Sequence, residues 1–282
     1  MAKVHRSLGN IMTAIIRYSL AFVFVVVPGG GFSTGEQACA QAFVTMKEIE
    51  TLHAKADKVF EAGDHETARK IYQNVTGYRM RRQGPKAYEI GAIHNNLAIM
   101  QYNEGDYEKA NALYDKAIAN VRGSKGGQHP DLATSLCNLG FSQIANSEGD
   151  AAMELFKEAL KIRLPLLGGA HPDVADCHEG FGLCHSAKNE SDKAIEAFDK
   201  CLQIRIKAFG EEHVETAAAY MGLGMAYIGK NDFAKAEEFD GKSKEILKKT
   251  GGLVVVNRNP RSRLQKPVFQ FFKARSKLKR KP

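Results

Sequence analysis

The segments HPDLATSLCNLG (129–140), HPDVADCHEGFG (171–182) and HVETAAAYMGLG (213–224) open on His129, His171 and His213, which stand 42 residues apart. The same offset leads back to AYEIGAIHNNLA (87–98) and carries Ala110, Ala152, Ala194 and Ala236, with the aromatics Tyr114, Phe156 and Phe198. One further step back meets Ala56, Ala68 and Tyr72 in a divergent first copy. Five copies at one offset mark a chain of stacked repeats, in which each unit buries its apolar face against the next.

Each copy has the pattern of two helices. Pro130 and Pro172 fit a first helical turn, where a missing N–H is tolerated. Asp131, Asp173 and Glu215 place negative charge at that end, as the helix dipole favours. Leu136, Leu139 and Gln143 have the three-to-four spacing of a helix face. A turn follows, written GDHETA (63–68), GDYEKA (105–110) and NDFAKA (231–236). Leu155, Phe156, Ala159, Leu160 and Ile162 then line a second helix, and Gly126, Gly127, Gly168, Gly169 and Gly210 close the second helices. In the third copy SEGDAA (147–152) shifts the Gly-Asp pair by two residues, which predicts an altered turn. In the fifth, Asp240 and Gly241 take apolar positions, so its second helix is expected to be distorted or to cap the end.

Small residues recur at Ala98, Gly140, Gly182 and Gly224 on the first helix, opposite the alanine series on the second. Close helix axes admit only small side chains between them, and the neighbouring aromatic is expected to fill the hole toward the next repeat.

These motifs resemble the tetratricopeptide repeat, most closely its 42-residue, kinesin-light-chain-like form; the resemblance covers about residues 45–249. It implies an all-α solenoid of about five helix-turn-helix repeats (45–86, 87–128, 129–170, 171–212 and 213–250) in a right-handed superhelix. It also implies a non-enzymatic scaffold or adaptor that grips protein partners in a groove lined by the first helices. On that basis the exposed groove positions are expected near Asn95, Ile99, Tyr102, Cys137, Phe141, Ile144, Glu179, Leu183, Ser186, Met221, Met225 and Ile228. Relatives that clamp a peptide backbone use an asparagine of the NNLA motif. Asn96 and Asn138 match it, whereas Gly180 and Gly222 do not, so an asparagine ladder is interrupted and the C-terminal half is expected to take apolar surface instead. The alternative is that several of these residues pack between helices.

No cofactor, metal site or catalytic set is expected. No phosphate-binding glycine loop, GxSxG or HExxH occurs. The pairs Cys177-His178 and Cys184-His185 are seven residues apart, about 10.5 Å along a helix, too far to close on one zinc. Cys201 falls in the slot of Ala117 and Ala159, a small core position, and the periodic histidines suit loops and caps.

Charge separates the ends from the body. The chain of 282 residues carries a net +8, yet all 32 acidic residues lie between Glu36 and Glu245 among 25 basic ones, a net of −7 there. Residues 1–44 form an acid-poor, basic and apolar segment that suits mitochondrial targeting or inner-membrane sorting; a secretory signal or an uncleaved anchor is the alternative. Residues 251–282 form a basic tail in which Lys273, Arg275, Lys277, Lys279, Arg280 and Lys281 accompany Phe271 and Phe272. Such a tail suits an anionic membrane or RNA phosphate. The expected role is thus an assembly subunit of an organellar complex, with an RNA- or ribosome-associated protein as the alternative; no small-molecule substrate is expected.

Overall fold

The structure, a computed structural model, describes residues 44–250. The basic tail lies outside the described residues, as does all but the last residue of the N-terminal segment, so the expectations placed on them are not addressed by the fold. Among the described residues ten helices follow one another: α1 (Met46–Glu61), α2 (His65–Gln83), α3 (Tyr88–Glu104), α4 (Tyr107–Lys125), α5 (Pro130–Ala145), α6 (Gly149–Leu167), α7 (Pro172–Ala187), α8 (Ser191–Phe209), α9 (Val214–Gly229) and α10 (Phe233–Lys249). Among the described residues there is no strand.

Local chemistry sets the helix ends. Thr45 and Glu48 form a reciprocal capping box at α1. Asp106 and Asp232 accept from the backbone N–H of Lys109 and Lys235. At α5, α7 and α9 the cap is a histidine: Nδ1 of His129, His171 and His213 accepts from the N–H two residues on, at 3.2, 3.1 and 3.2 Å. The expected loop-and-cap role of these histidines is therefore a specific bond, and it requires an unprotonated Nδ1.

The turn inside each pair has one shape. Gly63, Gly105, Ser147, Asn189 and Asn231 share the 42-residue offset, and all five have positive φ, from 59° to 84°. The altered turn expected in the third copy is not found. Ser147 takes the left-handed position that glycine or asparagine fills elsewhere, and the displaced Gly149 instead begins α6.

The described residues form two compact units, the first ending at Arg82 and the second starting at Gln83. In the first, the Tyr72 hydroxyl donates to Asp57 at 2.7 Å, and buried Arg79 donates to Nδ1 of His53 at 3.3 Å, tying α2 to α1. In the second, α3, α5 and α7 each touch the next first helix, while α4, α6 and α8 pack between the first helix of their own pair and that of the following one. The first helices are thus the inner layer of this unit.

Phe156 and Phe198 show how the layers lock. A Cβ on Gly140 would stand 2.8 Å from Cζ of Phe156 within the same pair, and one on Gly180 of the next pair would stand 2.5 Å from its Cδ1. Phe198 repeats this between Gly182, 2.7 Å from Cζ, and Gly222, 2.5 Å from Cδ1. Each ring is fully buried, contributing about 1.5–3 kcal/mol, and closes the hole toward the next repeat as expected. Gly180 and Gly222, which break the asparagine series in sequence, are the seats of these rings. The last pair departs. Asp240 occupies the slot of Phe198 and pairs with Lys244, while Phe239, one residue earlier, stacks on Tyr220 and Tyr227. Helix α10 nonetheless runs unbroken, so the expected distortion is absent.

Candidate functional site

The inner layer is where a partner groove was expected, and its rows follow from helix geometry. Positions 42 residues apart occupy equivalent places on α3, α5, α7 and α9. The row of Asn95, Cys137, Glu179 and Met221 lies next to the row of Asn96, Asn138, Gly180 and Gly222.

The N-terminal members of the first row are built into the fold. Nδ2 of Asn138 donates to Oδ1 of Asn95 at 2.9 Å, joining α5 to α3. Cys137 Sγ accepts from Nη1 of Arg163 at 3.1 Å and lies 3.7 Å from Cys177 Sγ. Glu179 accepts from Nη2 of Arg205 at 2.6 Å. Asn95, Ile99, Tyr102, Cys137, Phe141, Glu179 and Leu183 are buried rather than exposed, as in the alternative that several of these residues pack between helices, and Asn96 and Asn138 of the NNLA motif are buried as well. For Cys137 and Glu179 the reason is an arginine reaching back from the second helix of the same pair.

Those arginines were not singled out as site residues, although a sequence signal exists. Arg79, Arg163 and Arg205 share the 42-residue offset, with Val121 and Leu247 in the two other slots. Arg163 and Arg205 act alike. Nη1 of Arg163 donates to the carbonyl of Asp173 at the start of the next first helix, and Nη1 of Arg205 donates to that of Glu215 at 3.2 Å. Backward, Arg163 reaches the hydroxyl of Thr134, and Arg205 reaches Asp176 at 3.4 Å. Each guanidinium thereby ties its own pair to the next. Glu215 also approaches Arg205 at 3.2 Å, so three carboxylates surround one buried cation. Burial lifts the Glu179 carboxyl above its ordinary value, against the opposing pull of Arg205. Burial likewise raises the Tyr102 phenol, which stays neutral.

The C-terminal part of the layer is more open. Met221 and Met225 are half-buried, as are Ile144 and Ser186 at the last turns of α5 and α7, and Ile228 is 46% exposed. The accessible members of the expected rows are thus mainly apolar and concentrate on α9.

The sequence matches the tetratricopeptide repeat over residues 89–164, 143–207 and 188–249, more than half of the chain. No curated protein matches it significantly. The fold is similar to that of BtubC (BKLC) from P. vanneervenii, with a TM-score of 0.62 and 22% identity, covering 80% of this chain and 91% of that one. It is also similar to the nearly identical TPR-like repeats of a putative kinesin light chain from Podosopora anserina, with a TM-score of 0.57 and 20% identity, covering 72% and 96%. For MamA from Desulfovibrio magneticus RS-1 the TM-score is 0.50 at 16% identity, covering 71% and 96%. At such identities the likeness is one of fold, here of the kinesin-light-chain-like type. The chain belongs to the tetratricopeptide repeat family, whose repeats are scaffolds for protein–protein interaction.

Proposed function

We propose that this protein is an adaptor or assembly subunit that holds a partner through the accessible apolar positions of its inner layer, Ile144 on α5 and above all Met221, Met225 and Ile228 on α9. The observation that supports this is the contrast within one set of equivalent positions. The N-terminal members are buried, several against partners of their own fold, whereas those on α9 present adaptable thioethers and a half-exposed isoleucine. Methionine suits a surface that accepts apolar side chains of varied shape. The partner segment is accordingly apolar, with leucine-like or aromatic anchors.

A photoreactive side chain at position 225 should capture the partner, and one at the exposed position 196 on α8 should not. Met225→Asp with Ile228→Asp should abolish retention of the captured protein while leaving the helical spectrum unchanged. Retention by that double variant would refute the assignment.

The setting is a further part of the proposal. The acid-free start of the chain, basic at Lys3, Arg6 and Arg17, supports mitochondrial delivery, and the basic tail supports contact with an anionic membrane beside the complex. Cell fractionation with protease protection, alongside N-terminal sequencing of the mature chain, tests the first. Flotation with anionic and neutral vesicles, with and without residues 251–282, tests the second.

A further inference from the structure

The two closest thiols of the described residues lie outside the proposed partner surface. Cys137 on α5 and Cys177 on α7 belong to neighbouring repeats, and their sulfurs are 3.7 Å apart. Both side chains are buried, at 2% and 0% exposure. Nη1 of Arg163 lies 3.1 Å from the first sulfur and 3.6 Å from the second, so one cation faces both. We propose that Cys137 and Cys177 are an oxidisable dithiol, which a hydroperoxide converts into a disulfide joining the third repeat to the fourth.

The geometry is close to what the bond requires. A disulfide has its sulfurs about 2.05 Å apart, so the pair must close by about 1.6 Å. The electrostatics favour Cys177 as the attacking group. The Cys137 thiol donates to its sulfur and Arg163 stabilises the thiolate, which together hold its pKa below the usual thiol range despite burial. Burial drives Cys137 the other way, which keeps the proton on the second partner. At Cys184 burial pushes the thiol up to about 12, with only Lys188 in opposition, so it is poorly nucleophilic.

The reaction balances with one peroxide. The Cys177 thiolate attacks a peroxide oxygen and the O–O bond breaks; a sulfenic acid forms, and the departing hydroxide takes a proton to become water. The Cys137 sulfur then attacks the Cys177 sulfur, forming the S–S bond and breaking S–O. The expelled hydroxide leaves as water with the Cys137 proton. Both sulfurs are oxidised, and both peroxide oxygens are reduced. Arg163 keeps its bond to the Asp173 carbonyl throughout. A small oxidant is needed because neither sulfur is open to solvent, and the reaction is correspondingly slow.

The test uses the reduced full-length chain and hydrogen peroxide. After quenching, the intact mass should fall by two hydrogens. Alkylation under denaturing conditions should leave two cysteines unmodified, and digestion should yield the peptides of Cys137 and Cys177 linked to each other. Cys184→Ser should preserve the mass loss, and Cys137→Ser should remove it. Recovery of both cysteines as free thiols, their separate oxidation to sulfinic acids, or a link from either one to Cys39, Cys184 or Cys201 would overturn the proposal.

Discussion

Nη2 of Arg205 donates to Oε2 of Glu179 across 2.6 Å, and neither side chain is more than a tenth exposed. The same guanidinium meets Asp176, the carboxylate of Glu215 and the carbonyl of Glu215, so one side chain of α8 holds α7 and α9 together. Such a bridge matters more for what its loss exposes than for its net worth, since pairing two buried ions roughly offsets their desolvation.

Arg205→Met takes the cation from Glu179 and Glu215, while Asp176 keeps Arg163 at 3.7 Å, and is expected to cost about 3–5 kcal/mol. The deficit should depend on pH. Burial already raises the Glu179 pKa, so the folded chain takes up this proton more readily than the unfolded one. A raised carboxylate contributes stability that is fully present below its unfolded value, about 4.3, and is lost as pH rises through the folded value. Without Arg205 the folded value climbs further, and the deficit of the variant widens from acid toward neutral pH. Urea melts of both proteins at about pH 5 and about pH 7.5 check this. A deficit independent of pH would show that Glu179 stays ionised without its partner.

Gly180→Ala tests the seat of Phe156. The added Cβ meets the ring well inside van der Waals contact, and the ring is already held on its other side by Gly140. The expected cost is about 1–3 kcal/mol, a fall in Tm of roughly 2–4 °C per kcal/mol for a body of this size. Gly182→Leu should do the same at Phe198. Phe156→Leu in the Gly180→Ala background should recover part of the loss, and a double-mutant cycle measures the coupling. Strict additivity would separate the two residues.

The cap at His129 predicts a loss of stability in mild acid. Its Nδ1 cannot accept once protonated, and burial, then Lys125, lowers its pKa. With the folded value below the unfolded one, the unfolded chain binds the proton more readily. The contribution is present above the unfolded value, about 6.5, and is lost as pH falls from there through the folded value. His129→Asn keeps a side-chain acceptor and should remove this pH dependence, while His129→Ala should cost about 1 kcal/mol at neutral pH. Thermal melts between about pH 5 and about pH 8 follow both.

The 42-residue offset made the helix pairs legible, because proline, glycine and small residues act locally and leave their mark at fixed positions. It also pointed to the rings of Phe156 and Phe198 as fillers between repeats. The fate of the groove residues was less legible. Whether Glu179 faces a ligand or an internal cation depends on Arg205, 26 residues later on another helix. A resemblance that assigns rows to a groove carries no information about such a partner. Gly180 illustrates the same limit: in sequence it breaks a series of asparagines, and in the structure it receives the ring of Phe156.

The turn of the third repeat gives a prediction of opposite sign. Ser147 has φ of 67° where Gly63 and Gly105 have 84° and 83° at the equivalent positions. For a residue with a Cβ that conformation costs roughly 1–2 kcal/mol, and asparagine tolerates it better through its short polar side chain. Ser147→Gly relieves the strain but enlarges the freedom of the unfolded chain, so the net gain is expected to be about 0.5–1 kcal/mol. Ser147→Asn, which imitates Asn189 and Asn231, should gain less. Gly105→Ala introduces the same strain in the second repeat and should lose about 1 kcal/mol. Chemical denaturation of the three variants checks the order. A Ser147→Gly protein no more stable than its parent would show that the serine hydroxyl or its surroundings already offset the cost of the left-handed turn.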